Sequence, residues 1–136
     1  MTVKYLIVHC TATAAGRDFH AADVRRWHKS QGWSDIGYHY LVDLDGTIET
    51  GRPETQIGAH CAGINHISLG ICYVGGLATD GRTPTDTRTI QQKAALRALL
   101  ARLKKKYPQA RIVGHHHFNK GKACPCFDAD HEYADL

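Results

Sequence analysis

The sequence predicts a single α/β domain over residues 1–136, with a mixed central β-sheet of about five strands flanked by helices. Strand-like and helix-like segments alternate along the chain, which is typical of α/β architecture. The length of 136 residues suits one compact domain. Apolar residues make up 43% and charged residues 22% of the chain, as in ordinary globular domains. This composition excludes disordered, collagenous and coiled-coil chains.

The first part of the chain predicts a strand and then a helix. Residues 4–10 (KYLIVHC) are a short apolar run rich in β-forming residues, which predicts a buried strand. Residues 19–31 predict a helix, because Val24 and Trp27 flank an apolar stripe and Gly32 supplies a helix end.

A hairpin and a central strand follow. Residues 38–43 and 47–50 are predicted to form the two strands of a hairpin. The turn at residues 43–46 ends in Asp-Gly, and the glycine supplies the positive φ of a tight turn. Residues 51–67 predict a loop rich in glycine, proline, asparagine and histidine. Residues 68–74 are apolar and β-rich, which predicts a central strand.

The last part predicts a long helix and one more strand. Residues 87–106 carry apolar side chains at helical spacing, namely Leu96, Leu99, Leu100, Leu103 and Tyr107. The last turn is cationic, which suits the helix dipole, and Pro108 ends the helix. Residues 111–113 then predict a short strand that runs into Gly114.

Charge and hydropathy limit where the chain acts and what it binds. The net charge of +4 and the pI near 8.9 suit an anionic polymer such as nucleic acid or cell wall. The basic residues are scattered, so we expect no nucleic-acid partner. The apolar run at residues 5–8 is too short for a secretory core, and no run approaches the ~18 residues that span a bilayer. We therefore expect cytoplasmic synthesis without a signal peptide and no membrane insertion.

Histidine and cysteine point to a metal site. The chain holds 10 His and 5 Cys. Without a secretory signal the thiols are expected to be reduced, so metal binding or catalysis is favoured over disulfides. Three places combine these residues with predicted strand ends: His9-Cys10, residues 114–117 and residues 122–126. Strand ends are where α/β proteins hold their sites.

Two imidazoles and one thiolate around a tetrahedral cation leave its fourth position open. That composition is typical of a catalytic zinc site, and thiolate with imidazole favours zinc over magnesium or calcium. Taken singly, each residue has a simpler interpretation. His9 also fits a buried core histidine, the three consecutive histidines fit a solvated loop, and Cys124 fits an inert thiol.

Four separated motifs carry a family resemblance over nearly the whole chain. They are residues 8–13 (VHCTAT), 32–39 (GWSDIGYH), 58–71 (GAHCAGINHISLGI), and 114–115 followed by 122–128 (GH and KACPCFD). With these motifs in this order, the chain resembles the zinc-dependent N-acetylmuramoyl-L-alanine amidases, in particular the small phage amidases called lysozymes. Peptidoglycan-recognition proteins share their fold.

The resemblance implies one zinc ion held by His9, His115 and Cys124. His115 follows a small residue at the end of the last predicted strand, as the family's second ligand does. The spacing leaves His116 as an alternative, because close phage relatives separate the histidine from the cysteine by eight positions and His115 precedes Cys124 by nine. Cys126 is expected to be a bystander, too near Cys124 for an unstrained disulfide.

The resemblance also implies catalytic and substrate-binding residues. Tyr38 and Lys122 match the family's catalytic positions, where they assist a zinc-activated water and stabilise the oxyanion. His60 and Asn65 are expected to contact substrate. There is no HExxH motif, so a thermolysin-like general base is absent.

The remaining aromatic and histidine residues are given structural interpretations. Trp27 and Trp33 are expected in the core rather than as ligand platforms. His20 and His28 are expected to be helix residues without a functional role.

The function implied is a peptidoglycan hydrolase that cleaves the amide bond between N-acetylmuramic acid and L-alanine of the stem peptide. The chain looks like a phage or prophage endolysin, expected to be a monomer that binds peptidoglycan or muropeptides and acts on the cell wall after release. The alternatives are a non-catalytic muropeptide-binding module, a regulatory protein that inhibits a polymerase, and a Cys-His hydrolase using Cys124 or Cys10. The presence of Cys124 argues against the binding module, and chelator sensitivity would separate the thiol hydrolase.

Overall fold

The computed structural model describes residues 2–136. The strands are β1 (Tyr5–Cys10), β2 (Thr13–Ala14), β3 (Tyr40–Val42), β4 (Ile48–Thr50), β5 (Ser68–Tyr73), β6 (Gly76–Leu77) and β7 (Arg111–Gly114). The α-helices are α1 (Ala21–Ser30), α2 (Ile90–Lys106) and α3 (Ala129–Glu132), and two 3-10 turns cover Asn65–Ile67 and His115–His117. Within the described residues, no helix is both long and apolar enough to cross a membrane.

The main sheet has five strands in the order β4-β3-β5-β1-β7. β1 pairs in parallel with both β5 and β7, and β3 also runs parallel to β5. β4 pairs antiparallel with β3 and forms the predicted hairpin. The predicted mixed five-stranded sheet with β5 at its centre is therefore confirmed.

The alternation of side chains along β1 sends its residues to two different faces. Leu6, Val8 and Cys10 pack in the main core cluster beneath α2. Ile7 packs in a separate cluster on the other side. Because side chains alternate along a strand, His9 points to the same face as Ile7, away from α2.

Two capping interactions set where the helices begin. The Thr89 side chain accepts from the Gln92 N–H at 3.0 Å, and the Thr89 N–H donates to the Gln92 side chain at 2.9 Å. Helix α2 therefore starts at Ile90, three residues after the predicted start. Helix α1 starts at Ala21 because His20 is its N-cap, so His20 precedes the helix.

Two features were not predicted. β2 and β6 form a separate two-stranded parallel sheet, and α3 is a single helical turn. β2 and β6 have two residues each and α3 has four, too few for the hydrophobic periodicity on which sequence prediction depends, and no turn motif or apolar run marks them. Helix α3 is held by Arg88, which pairs with Glu132 at 2.6 Å and with Asp86 at 2.9 Å.

Candidate active site

Parallel strand pairing brings the two candidate histidine ligands together. The register of β1 against β7 places Val8 opposite Gly114, so His9 and His115 follow at the same edge of the sheet. Their ring centroids are 4.6 Å apart. His9 is 1% exposed, whereas His115 is half-buried at the start of a 3-10 turn. A rigid strand end therefore positions each imidazole.

Cys124 completes the cluster. Its Sγ accepts a hydrogen bond from the Cys10 N–H at 3.1 Å and lies 4.0 Å from His9 Nδ1. The donor atoms of His9, His115 and Cys124 lie within 4.8 Å of one another. Two imidazoles and one thiol are a suitable donor set for a zinc ion with one open position. The residues present therefore fit the metal that the resemblance implies.

His116 lies outside this cluster. Its backbone N–H donates to the Cys124 carbonyl at 3.0 Å, and its Nδ1 lies 3.3 Å from the same oxygen. The spacing of nine positions between His115 and Cys124, one more than in the phage relatives, still places His115 beside His9. His116 instead fastens the loop that carries Cys124.

A chain of hydrogen bonds orients His9. His9 Nε2 lies 2.9 Å from His60 Nδ1, and His60 Nε2 lies 3.4 Å from Ser68 Oγ. The Ser68 hydroxyl donates to the Ile64 carbonyl at 2.7 Å, so it can only accept from His60. His60 then carries its proton on Nε2, and His9 donates from Nε2. The lone pair of His9 Nδ1 is left free on the side of Cys124.

Burial keeps this pair of imidazoles neutral. Burial, and after it the neighbouring charges of His39 and His115, lowers the pKa of His60 to about 3. Burial, and after it His60, holds the pKa of His9 well below its usual value. Neutral imidazole is the form that binds a metal ion.

The ring of Tyr38 lies against this cluster. Its ring centroid is 5.1 Å from that of His9. Burial, and after it the thiols of Cys72 and Cys124, holds the pKa of the Tyr38 phenol well above its usual value. The phenol therefore remains protonated at neutral pH.

His28 supports the segment that carries Tyr38, a role that its sequence position did not indicate. His28 Nδ1 accepts from the Gly37 N–H at 2.8 Å, and its ring lies 5.5 Å from that of Tyr38. His28 is in α1 as expected, but its partners come from a different part of the chain, so this supporting contact was not visible in the sequence.

Lys122 supplies a positive charge on the open side. Its side chain is exposed and lines the cleft beside His115. Burial, and after it the Lys122 ammonium, lowers the pKa of His115. The sequence-predicted residues Tyr38 and Lys122 therefore both reach the cluster of His9, His115 and Cys124.

These residues lie in an open cleft with a volume of about 560 Å³. Its wall includes Asn65, whose Oδ1 accepts the N–H groups of His60 at 2.9 Å and Cys61 at 2.8 Å. Asn65 therefore fastens the loop that forms this wall.

Trp33 also lines the cleft, contrary to the expectation that it lies in the core. It is 37% exposed, and its ring centroid lies 4.5 Å from that of His28. Trp33 sits in the turn after α1, beyond the apolar stripe of that helix. Trp27 does pack as expected, with its ring centroid 4.9 Å from that of Phe19.

The other thiols near the site are not activated. Among residues 2–136, all 5 cysteines are free. Hydrogen bonding with Cys124 is the largest cause that raises the pKa of Cys10, to about 12. Cys126 lies 3.9 Å from Cys10, and its thiol donates to the Gly76 carbonyl at 3.2 Å. Cys10 thus remains a thiol at neutral pH, which disfavours it as a nucleophile.

Residues 1–127 match the family described as N-acetylmuramoyl-L-alanine amidase. The chain belongs to this amidase family. The match covers the strands, the cleft and all three candidate metal ligands. It confirms the resemblance that the four sequence motifs carry.

Individual amidases and related proteins agree with this assignment. The endolysin of Enterobacteria phage K11 is 46% identical over 121 residues, which are 89% of this chain and 79% of that protein. The amidase LysC from Clostridium intestinale has a TM-score of 0.81 at 29% identity, covering 97% of this chain and 82% of that one. Peptidoglycan recognition protein-LE, solved with tracheal cytotoxin, has a TM-score of 0.75 at 30% identity, covering 99% and 79%. The chain is thus an amidase of the phage endolysin type.

Proposed function

We propose that the chain is a zinc-dependent peptidoglycan hydrolase that cleaves the amide between the lactyl group of N-acetylmuramic acid and L-alanine. The observation that carries the proposal is the convergence of His9, His115 and Cys124 at one side of an open cleft. The complex of peptidoglycan recognition protein-LE with a monomeric peptidoglycan supports a muropeptide as the ligand class.

The metal and the protein groups have separate tasks. When bound, zinc acts as a Lewis acid that lowers the pKa of water and polarises a carbonyl oxygen. The hydrogen bond from the Cys10 N–H holds the Cys124 Sγ beside His9. The His60 contact keeps the Nδ1 lone pair of His9 available. Cys10 and His60 thus fix the positions of two of the three donors.

Tyr38 and Lys122 act on the substrate. The protonated Tyr38 phenol donates a hydrogen bond to the carbonyl oxygen, on which negative charge develops during attack. The Lys122 ammonium beside His115 stabilises the same charge from the open side. The amine of L-alanine leaves as the amide bond breaks.

The cleft wall around His60 and Asn65 contacts the glycan or stem peptide. Both residues line the cleft. Asn65 uses its carbonyl oxygen to hold backbone N–H groups, so its amide NH₂ is the part available to substrate. The chain would act on the cell wall after release from the cytoplasm, as a phage or prophage endolysin does.

The test is digestion of purified peptidoglycan, with mass spectrometry of the products. We expect free stem peptides that begin at L-alanine, lost on addition of a chelator and restored by zinc. Among matched variants, His115→Ala should lose the metal and the activity, whereas His116→Ala should retain the metal.

Two outcomes would contradict the proposal. Activity that survives complete chelation would favour a thiol nucleophile at Cys124. Muropeptide binding without released fragments, in a chain loaded with zinc, would favour a recognition module.

A further inference from the structure

A second cluster of metal-binding residues joins the start of α1 to the β3–β4 hairpin. His20 immediately precedes α1, Asp43 immediately follows β3, and Glu49 is the central residue of β4. None of the three lines the amidase cleft. The cluster is therefore distinct from the site of His9, His115 and Cys124.

The three side chains meet at His20 Nδ1. This atom lies 3.1 Å from Asp43 Oδ2 and 3.5 Å from Glu49 Oε2. One donor atom from each residue lies within 4.8 Å of the others. Glu49 Oε2 also accepts the Ala21 N–H at 2.9 Å, which fixes the carboxylate against the start of α1.

Asp43 has a buried oxygen with no partner. Its side chain is 4% exposed, and Oδ2 faces His20. The other oxygen, Oδ1, is buried and accepts no hydrogen bond, the one such side-chain atom in residues 2–136. An unpartnered buried carboxylate oxygen is costly, so its presence indicates a missing positive group.

The second nitrogen of His20 is held as it is in metal sites. His20 Nε2 lies 3.2 Å from Asp18 Oδ2. An imidazole that donates one N–H to a carboxylate and presents its other nitrogen to the ion is the usual arrangement of a metal-bound histidine. With Nε2 carrying that proton, the neutral ring directs the Nδ1 lone pair toward two carboxylates. A proton or a cation at Nδ1 would stabilise this arrangement.

We propose that His20, Asp43 and Glu49 bind a second divalent cation, a transition ion of the Zn²⁺ or Mn²⁺ type, which ties α1 to the hairpin. One imidazole and two carboxylates suit these ions, whereas Mg²⁺ and Ca²⁺ favour sites made of oxygen alone. The ion contacts the Asp43 carboxylate and supplies the positive charge that its buried oxygen lacks.

A bound proton is the competing occupant. Hydrogen bonds to Asp43, and after it to Asp18, raise the pKa of His20 to about 9. Burial, and after it Glu49, raises the pKa of Asp43 to about 7. A proton on His20 satisfies Asp43 Oδ2, and the competing state then needs a second proton, on Asp43 beside Glu49, for Oδ1. The cation would displace these protons on binding.

Counting bound ions tests the proposal without reference to enzyme activity. The full chain is dialysed against zinc at neutral pH, and bound zinc is measured by elemental mass spectrometry. We expect two ions per chain, falling to one in Asp43→Asn and to one in Cys124→Ala, which removes a cleft ligand. His66→Gln, at an exposed histidine outside both clusters, should retain two ions.

Manganese provides a second probe, because carboxylate oxygens accept Mn²⁺ better than thiolate does. In the Cys124→Ala chain, the electron paramagnetic resonance signal of free Mn²⁺ should fall as the protein is added, and Asp43→Asn should restore it. If Asp43→Asn does not fold, judged by circular dichroism, the half-exposed His20→Gln replaces it. Equal ion counts in the wild-type and Asp43→Asn chains, or no Mn²⁺ uptake by Cys124→Ala, would overturn the proposal and leave the proton as occupant.

Discussion

His60 connects the candidate metal ligand His9 to the protein backbone through Ser68. The hydrogen bond of 2.9 Å between His9 and His60 leaves the metal-facing nitrogen of His9 unprotonated. Groups that orient a metal ligand strengthen metal binding, and their loss typically lowers the affinity by roughly 10–100-fold. His60 therefore supports the metal centre from behind as well as lining the cleft.

This contact predicts the effect of His60→Ala on zinc binding. Without His60, His9 loses its partner and its preferred tautomer, so zinc affinity should fall by roughly 10–100-fold. Competition against a chromogenic chelator measures that affinity. His66→Ala, at an exposed histidine of the same loop, is the matched control and should bind zinc like the wild-type chain. If the two variants bind zinc equally well, His60 has no role in orienting His9.

Lys122 is expected to affect the rate and not the metal. Its ammonium lies beside His115 without being a donor to the ion. Lys122→Ala should therefore retain the zinc and lower kcat by roughly 10²-fold, the effect of losing one group that stabilises an oxyanion. Lys120→Ala changes an exposed lysine of the same loop outside the cleft and should keep the wild-type rate. Loss of zinc from Lys122→Ala would instead show a structural role.

Among the elements, α2 is fastened to the sheet by a buried polar side chain. Gln92 Nε2 donates to the Val74 carbonyl at 2.9 Å and to the Val42 carbonyl at 3.3 Å. These carbonyls lie at the ends of β5 and β3. The Val42 carbonyl also accepts the Val74 N–H at 3.0 Å, so the group that depends on Gln92 is the Val74 carbonyl, next to the apolar contacts of the helix leucines.

Gln92→Ala should lower the free energy of unfolding by about 2 kcal/mol, because it leaves the buried Val74 carbonyl without its donor. Urea denaturation followed by circular dichroism measures the change. Gln91→Ala, one position earlier on the exposed side of the helix, should alter stability by less than about 0.5 kcal/mol. Similar free energies of unfolding for Gln92→Ala and Gln91→Ala would mean that water replaces the lost donor.

The elements that sequence could predict are those with long apolar runs. β1 and β5 bury nearly all of their apolar positions, and α2 buries its four leucines, so their patterns are visible in the chain itself. The two-residue strands β2 and β6 depend instead on each other, and their paired residues are 63 positions apart in the sequence. No local pattern encodes such a pairing.

At the scale of the molecule, the residues of the site also divide into those placed by regular elements and those placed by contacts between distant parts of the chain. His9 and His115 could be placed because parallel strands bring their ends to one edge. The roles of His28 and Trp33 could not, because they depend on Gly37 and on a cleft wall assembled from distant loops. The role of a residue can thus be predicted from the sequence when a regular strand or helix positions it. It cannot be predicted when the role depends on a tertiary contact.

The candidate zinc site also links the two ends of the fold. His9 lies in the first strand, whereas His115 and Cys124 follow the last strand of the sheet. An ion that binds only this folded arrangement stabilises it by mass action, by about 2.7 kcal/mol when free zinc is one hundred times the dissociation constant. For a domain of this size, that stabilisation raises Tm by roughly 10 °C.

Calorimetry in zinc buffers, compared with chelator, would measure this rise. The Asp43→Asn chain is the appropriate background, because it lacks the second cluster and isolates the cleft. In that background the rise should persist, and the additional change Cys124→Ala should abolish it. A Tm that does not respond to zinc in Asp43→Asn would mean that the three donors bind no ion tightly in the folded chain.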